Sequence, residues 1–136
     1  MDYRITTNTL TVAEYQSLRG TTSWEQLPDD QVAEALKNDL FSVSVYLGTD
    51  FIGMGRVIGD GTLYFYIQDM IVHPDHQGKY IGKFMMEAIE EFLNDNAKGY
   101  AFIGLMAAKG TSDFYRKLGY RPRPGNAPGM YRILSK

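Results

Sequence analysis

The chain has 136 residues, of which 44% are hydrophobic and 22% charged, and its net charge is −2. This length fits a single domain over residues 1–136, which can bury about two thirds of its unfolded surface without a disulfide or a metal. No apolar run approaches the roughly 20 residues that cross a bilayer, and the balanced charge gives no general attraction to nucleic acid. Cysteine is absent, which excludes disulfides and cysteine zinc sites and is compatible with the cytoplasmic location that we expect.

The first 40 residues carry the pattern of one strand and two helices. The strand covers Tyr3 to Thr7, and the helices cover Val12 to Arg19 and Asp29 to Leu40. In the second helix apolar residues recur three and four apart, and Pro28 is a typical residue at a helix start.

From Phe41 onward the pattern changes to that of strands. Apolar residues alternate from Val43 to Leu47, a second strand covers Phe51 to Ile58, and a third covers Leu63 to Val72. The short glycine-containing connections predict an antiparallel meander.

A single apolar stripe marks a long helix from Ile81 to about Asp95. A strand from Tyr100 to Ala107 follows, so residues 63–107 form a right-handed β-α-β unit with parallel strands. A short helix from Ser112 to Leu118 and a strand from Met130 to Leu134 complete the pattern. These elements predict an α/β (α+β) fold with a mixed, mostly antiparallel central sheet flanked by helices.

The long helix carries its charges in an unusual order. Helices favour acidic residues in the first turn and basic residues in the last, yet Lys79 and Lys83 lie at its start and three acidic residues lie toward its end. Each misplaced charge costs about 0.3–1 kcal/mol at low salt, which a bound anion would offset. Gly78 and Gly82 allow a phosphate to approach the backbone. The alternative is that Lys83 pairs with Glu87 one turn along and that the glycines only shape a tight connection.

The segment before this helix resembles a signature of the GCN5-related N-acetyltransferase (GNAT) family, Gln/Arg-x-x-Gly-x-Gly/Ala. The matching residues are Gln77, Gly78, Lys79, Tyr80, Ile81 and Gly82, with Tyr80 in place of the first glycine. The resemblance implies that this loop, followed by Lys83, holds the pyrophosphate of acetyl-coenzyme A (acetyl-CoA). It also implies that the pantetheine arm lies against Ile71 and Val72 like an added strand. The order of elements follows that of the family along nearly the whole chain, so the sheet is expected to be GNAT-like.

The segment from Ser112 to Tyr120 is similar to a second family signature, Phe-Tyr-x-Lys-x-Gly-Phe. By that match Tyr115 contacts the cofactor and is the general acid that protonates the departing thiolate. A thiolate with a pKa near 8.5 is a moderate leaving group, and a phenol can donate a proton to it. The alternative is that Phe114, Tyr115 and Leu118 form the apolar face of a short helix.

The proton of the acceptor amine has no obvious destination. Removing the proton from an amine of pKa about 10.4 costs roughly 4.6 kcal/mol at pH 7, so a base is expected. Strict alternation on the third meander strand places Tyr64, Tyr66, Gln68, Met70 and Val72 on one face and Ile67, Asp69, Ile71 and His73 on the other. Asp69 is the nearest carboxylate, so it is the candidate base, or the anchor of a water chain or of a buried network. Transfer without a dedicated base stays open.

The acceptor pocket has four candidate lining residues. They are Trp24, Tyr64, Tyr66 and Gln68. The alternative is that they belong to the surface and the core. The two histidines, His73 and His76, offer no metal-site spacing, so no metal is expected.

The resemblance implies an acetyl-CoA-dependent N-acetyltransferase that moves the acetyl group directly to a primary amine of a small molecule or peptide. The lack of cysteine supports direct attack over a cysteine-bound intermediate. A protein-lysine acetyltransferase and a coenzyme A-binding sensor without turnover are the alternatives. We also expect no nucleic-acid or membrane partner and consider a homodimer through the terminal strand.

Overall fold

The computed structural model describes residues 2–135 of the chain. In order, the elements are β1 (Tyr3–Thr7), α1 (Val12–Arg19), α2 (Asp29–Lys37), β2 (Phe41–Leu47), β3 (Asp50–Gly59), β4 (Tyr64–Val72), a 3₁₀ turn (Pro74–His76), α3 (Ile81–Asn96), β5 (Phe102–Leu105) and α4 (Ser112–Arg116). The chain forms two compact units, one running through Gly104 and the other starting at Leu105. That residues 1–136 form a single domain stays a prediction.

The strands form one sheet in the order β1-β2-β3-β4-β5. The first four strands pair antiparallel with their neighbours, and β5 lies parallel to β4. The predicted mixed sheet, flanked by helices and containing a parallel β-α-β unit, is therefore confirmed.

The two faces of the sheet are covered by different helices. Helix α3 buries an apolar stripe on one face, where a Cβ added at Gly53 would contact Ile81 and Met85. On the other face α1 and α2 cover a cluster that contains Tyr15, Leu18, Val32, Met54 and Ile71. Helix α1 begins with a capping box, since Thr11 and Glu14 each bond the other's backbone N–H.

Helix α2 and the last predicted strand differ most from the structure, whereas β5 and α4 are present but shorter than predicted. Helix α2 ends at Lys37 rather than at Leu40, because Asp39 binds Arg56 and the Leu40 N–H donates to the carbonyl of Val57. The predicted strand from Met130 to Leu134 is wrong.

The segment that carried this strand prediction has no strand pairing, and its apolar side chains are exposed. A strand needs a neighbour to accept its ladder of hydrogen bonds, and the prolines that precede this segment cannot donate to one. A homodimer stays a prediction, without the strand through which it was expected.

A β-bulge interrupts β4 in its second half. Met54 pairs with Ile71 and Arg56 pairs with Gln68, so Asp69 and Met70 together lie opposite Gly55. Asp69 has a φ of +56°, the left-handed region that non-glycine residues seldom adopt. Bulges bend a strand and redirect the side chains that follow.

The bulge changes which residues share a face. Phe65 contacts Phe92 of α3, with ring centroids 6.5 Å apart, whereas Asp69 accepts a hydrogen bond from Tyr15 of α1. An uninterrupted strand would place residues 65 and 69 on the same face. The predicted alternation is therefore wrong after Gln68. The face toward α1 and α2 carries Tyr64, Tyr66, Gln68, Asp69 and Ile71, and the face toward α3 carries Ile67, Met70 and Val72.

Candidate active site

The loop before α3 turns twice through the left-handed region. Gly78 has a φ of +80°, and Tyr80, the residue that precedes the helix, has a φ of +65°. The family signature expects a glycine at this second position, and the backbone angle explains why, since only glycine adopts it without strain. The Tyr80 side chain is 74% exposed and forms no cap on the helix.

The backbone donors of this loop have no acceptor in the described part of the chain. From Gly78 to Lys83, no N–H group donates a hydrogen bond to any of residues 2–135, and the first that does is that of Phe84, to the carbonyl of Tyr80. Free N–H groups at the start of a helix, together with its dipole, form a binding site for anions.

The charges around the loop favour the same ligand. Helix α3 has no acidic residue in its first turn and no basic residue in its last. Lys83 forms no ion pair with Glu87 within the described part of the chain, so the alternative explanation of that lysine is wrong. Lys79 is exposed beside it. Two lysines and a row of free donors are thus available for a phosphate.

Next to the loop, the second half of β4 has an edge with no strand beside it in the described part of the chain, and we call this the open edge. β5 has four residues against nine in β4, and its Phe102 N–H bonds the carbonyl of Leu63, so β5 runs beside the first half of β4 only. The Val72 carbonyl points away from β3, because it accepts a hydrogen bond of 3.1 Å from Gln77 Nε2. An extended chain segment could pair with this edge as an added strand.

Asp69 lies at the centre of a buried polar network. Its Oδ2 accepts hydrogen bonds from Tyr15 Oη and Arg56 Nη1, both at 2.9 Å, and Arg19 Nη1 lies 3.8 Å from its Oδ1. Arg56 also grips Asp39 through Nε and Nη2 at 2.6–3.1 Å. Asp69 and Arg56 are only 4% and 8% exposed. A buried carboxylate must be compensated in this way, and the network supplies both charge and hydrogen bonds.

The network sets the protonation of its members. Burial raises the pKa of Tyr15, and the adjacent Asp69 carboxylate raises it further. Burial works against the charge on Arg56, but the hydrogen bonds to Asp39 and Asp69 outweigh it and raise the pKa of the guanidinium. Arg56 is therefore a permanent cation. The predicted alternative role of Asp69, as the anchor of a buried network, matches this geometry more closely than the role of free base.

The candidate acceptor residues lie in different surroundings. Tyr64 is exposed and packs near Phe102, with ring centroids 6.1 Å apart. Tyr66 has a buried hydroxyl without a partner in the described residues, and burial raises its pKa. Gln68 Nε2 lies 3.4 Å from Asp69 Oδ1. The bulge thus brings three of the four candidates onto the face of Asp69.

The fourth candidate, Trp24, lies in the connection between α1 and α2. It is 43% exposed, and the guanidinium of Arg19 lies 5.4 Å from the centre of its ring. Arg19 also donates to Tyr15 Oη at 3.2 Å, so Trp24 is linked to the network of Asp69.

Tyr115 belongs to the second unit. It lies on α4, with its ring 5.0 Å from that of Phe114 and 6.2 Å from that of Tyr120. Burial raises the pKa of Tyr115, so its phenol is protonated at neutral pH. A protonated phenol can act as a proton donor, and the role of Tyr115 as general acid stays a prediction.

The sequence prediction missed Arg56, Asp39 and Tyr15. One signal could have found Arg56, since it is a charged residue at an inward position of a strand that is otherwise apolar. Asp39 was assigned to a helix, and Tyr15 is one of ten tyrosines, so neither stood out.

A mixed sheet, an open edge on β4 and a loop of free donors at the start of α3 define a domain of the acetyltransferase class. Residues 39–122 match the family model described as an acetyltransferase (GNAT) domain. The chain therefore belongs to the GNAT family of N-acetyltransferases and is an enzyme of that class.

Individual relatives agree with this assignment. An uncharacterized N-acetyltransferase from Porphyra purpurea is 29% identical over 95% of this chain and 75% of its own length. A solved structure, a probable acetyltransferase of unknown function from meticillin-resistant Staphylococcus aureus, is 30% identical with a TM-score of 0.90. The match covers 98% of this chain and all of that one.

Two further relatives are longer than this chain. A histone acetyltransferase from Glycine max is 30% identical over 88% of this chain and 56% of its own length. A chloroplastic GCN5-related N-acetyltransferase 2 from Arabidopsis thaliana is 28% identical over 88% of this chain and 54% of its own length. The chain thus spans about half of these two relatives. None of the helices between residues 2 and 135 has the length and apolar content that a bilayer crossing needs.

Proposed function

We propose that this protein transfers the acetyl group of acetyl-CoA directly to a primary amine of a small molecule or peptide. One observation carries the proposal: the N–H groups from Gly78 to Lys83 have no acceptor among residues 2–135 and lie where a helix begins. A pyrophosphate supplies acceptor oxygens and negative charge, which match these donors and the two adjacent lysines. The open edge of β4 matches the amides of a pantetheine arm.

The reaction requires two proton movements. Acetyl-CoA would supply a thioester, whose carbonyl carbon bonds to the amine nitrogen while its bond to sulfur breaks. Tyr115 is the candidate donor to the sulfur, because its raised pKa keeps the phenol protonated. Asp69 is held by Tyr15 and Arg56, so we assign it to positioning and not to removal of the amine proton. The amine proton then passes to solvent water, without a dedicated base.

Charge reversal in the loop tests the binding site. A carboxylate about 4 Å from a phosphate charge costs about 4 kcal/mol at an effective dielectric constant of 20. Gly82→Glu should therefore weaken acetyl-CoA binding by roughly 100-fold or more in calorimetry, which is about 2.8 kcal/mol. The fold should persist, because a glutamate in the first turn of a helix is favourable.

Gly99→Glu is the matched control, since Gly99 follows α3 and a Cβ added there meets no atom within 4 Å. It should bind acetyl-CoA like the wild type. Equal affinity of both variants would refute the assignment of the loop.

Release of free thiol against a panel of amines tests turnover. Tyr115→Phe should lower kcat much more than it weakens cofactor binding, and a kcat within about twofold of the wild type would exclude its acid role. Binding without thiol release for any amine would favour the alternative of a coenzyme A sensor.

A protein-lysine acetyltransferase is the second candidate, and the histone acetyltransferase among the relatives favours it. Lysine-containing peptides and intact proteins should therefore be included beside polyamines, amino sugars and arylalkylamines. The cytoplasmic location stays a prediction, because one relative is described as chloroplastic. The expected absence of nucleic-acid and membrane partners also stays a prediction.

A further inference from the structure

We propose that Arg56 is a positioning residue that fixes the bulge in β4 and so keeps Val72 available to the arm of acetyl-CoA. This inference rests on the proposed function. Its starting point is the geometry of one guanidinium, which binds Asp69 through Nη1 at 2.9 Å and Asp39 through Nε and Nη2.

The bulge depends on the backbone of Asp69. A φ of +56° is uncommon for a residue with a side chain, and it persists when surrounding contacts leave no alternative. The contacts here are the hydrogen bonds from Arg56 and Tyr15 to one carboxylate oxygen. Asp39 forms a salt bridge with the other side of the Arg56 guanidinium, so this planar group has a single orientation.

The bulge decides which backbone groups reach the open edge. The His73 N–H donates to the Ile52 carbonyl of β3, so the groups of Val72, one residue earlier, point the other way. The hydrogen bond from Gln77 to the Val72 carbonyl confirms that direction. Without the extra residue, the strand after Gln68 would slip by one position. The groups of Val72 would then face β3, and every side chain beyond the bulge would change face.

The nucleotide half of coenzyme A separates this role from that of the loop. Adenosine 3′-phosphate 5′-diphosphate carries the pyrophosphate but lacks the arm, so it should bind the loop without using β4. Arg56→Lys keeps the positive charge but removes the planar guanidinium that donates to both Asp39 and Asp69. It should weaken binding of acetyl-CoA by roughly tenfold and raise its KM, while the nucleotide half binds within about twofold of the wild type.

Two further variants complete the design. Asp39→Asn removes the charge that orients Arg56, so it should weaken acetyl-CoA binding by less than Arg56→Lys does and leave binding of the nucleotide half within about twofold of the wild type. Arg4→Lys replaces an arginine on β1 that stacks on Tyr46, and it should leave both affinities unchanged. Amide NMR shifts of residues 69–72 report the bulge directly, and they should change in Arg56→Lys but not in Arg4→Lys.

Three outcomes would overturn the proposal. The first is unchanged amide shifts of residues 69–72 in Arg56→Lys, which would separate Arg56 from the bulge whatever the protein binds. The second is an equal loss of affinity for acetyl-CoA and for the nucleotide half, which would make the role of Arg56 generally structural. The third is a wild type that binds neither ligand, which would refute the proposed function and this inference with it.

Discussion

Replacing Tyr80 by glycine should stabilise the protein. A residue with a side chain in the left-handed region costs about 1–2 kcal/mol relative to the right-handed region. Glycine avoids this cost but loses about 0.5–1 kcal/mol more in conformational entropy on folding. The tyrosine ring is 74% exposed, so little packing is lost. The balance is a gain of about 0.5–1 kcal/mol, or roughly 2–4 °C in Tm for a chain of this size.

Urea and thermal unfolding would measure the gain. Lys79→Gly is the matched control, because Lys79 is the adjacent exposed residue and has no positive φ. Its free energy of unfolding should fall by about 0.5–1 kcal/mol, whereas that of Tyr80→Gly should rise. If Tyr80→Gly is no more stable than Lys79→Gly, the reasoning from the backbone angle is wrong.

Two further predictions concern the sheet and its turn. Gly55→Ala should cost about 1 kcal/mol in urea unfolding, because the added Cβ would overlap the Met70 sulfur and force that side chain to move. Gly99→Ala is the control and should hardly change the stability. A similar loss of stability in both variants would contradict the predicted overlap. Asp60 accepts backbone hydrogen bonds from Tyr64, Thr62 and Leu63, which hold its pKa below the ordinary carboxyl value. The lowered pKa gives stability that is present above pH about 4 and is lost as the pH falls through the folded-state pKa. Asp60→Ala should therefore be less stable than the wild type at pH 7, and the difference in stability should be smaller at about pH 2. An equal difference at the two pH values would exclude a contribution from the Asp60 carboxylate.

Local patterns predicted most of the fold. The long helix begins at Ile81 as expected, because its apolar stripe and the preceding glycine loop mark the same boundary. The meander and the parallel crossover followed from alternation and from connection lengths. These features depend on residues that are close in the sequence, which is why the sequence alone can predict them.

The features that the sequence did not predict depend on distant contacts. The bulge arises because Asp69 finds Tyr15 and Arg56, residues 54 and 13 positions away, and no alternation rule contains that information. A strand was also predicted from Met130 to Leu134 because of the composition of that segment. The segment has no neighbouring strand among the described residues, so it does not form one. Asp69 was identified as a candidate, whereas the side chains that hold it were not.

The proposed recognition of pyrophosphate by main-chain groups has a consequence for how this loop can diverge among homologues. Every residue except proline supplies an N–H, so the exposed side chain of Tyr80 can be replaced while its donor persists. The feature that homologues must keep is a positive φ at residues 78 and 80. Tyr80 stands where the family signature expects glycine, yet it keeps the positive φ. Searches that demand exact glycines will therefore overlook functional members, whereas comparison of backbone shape will retain them.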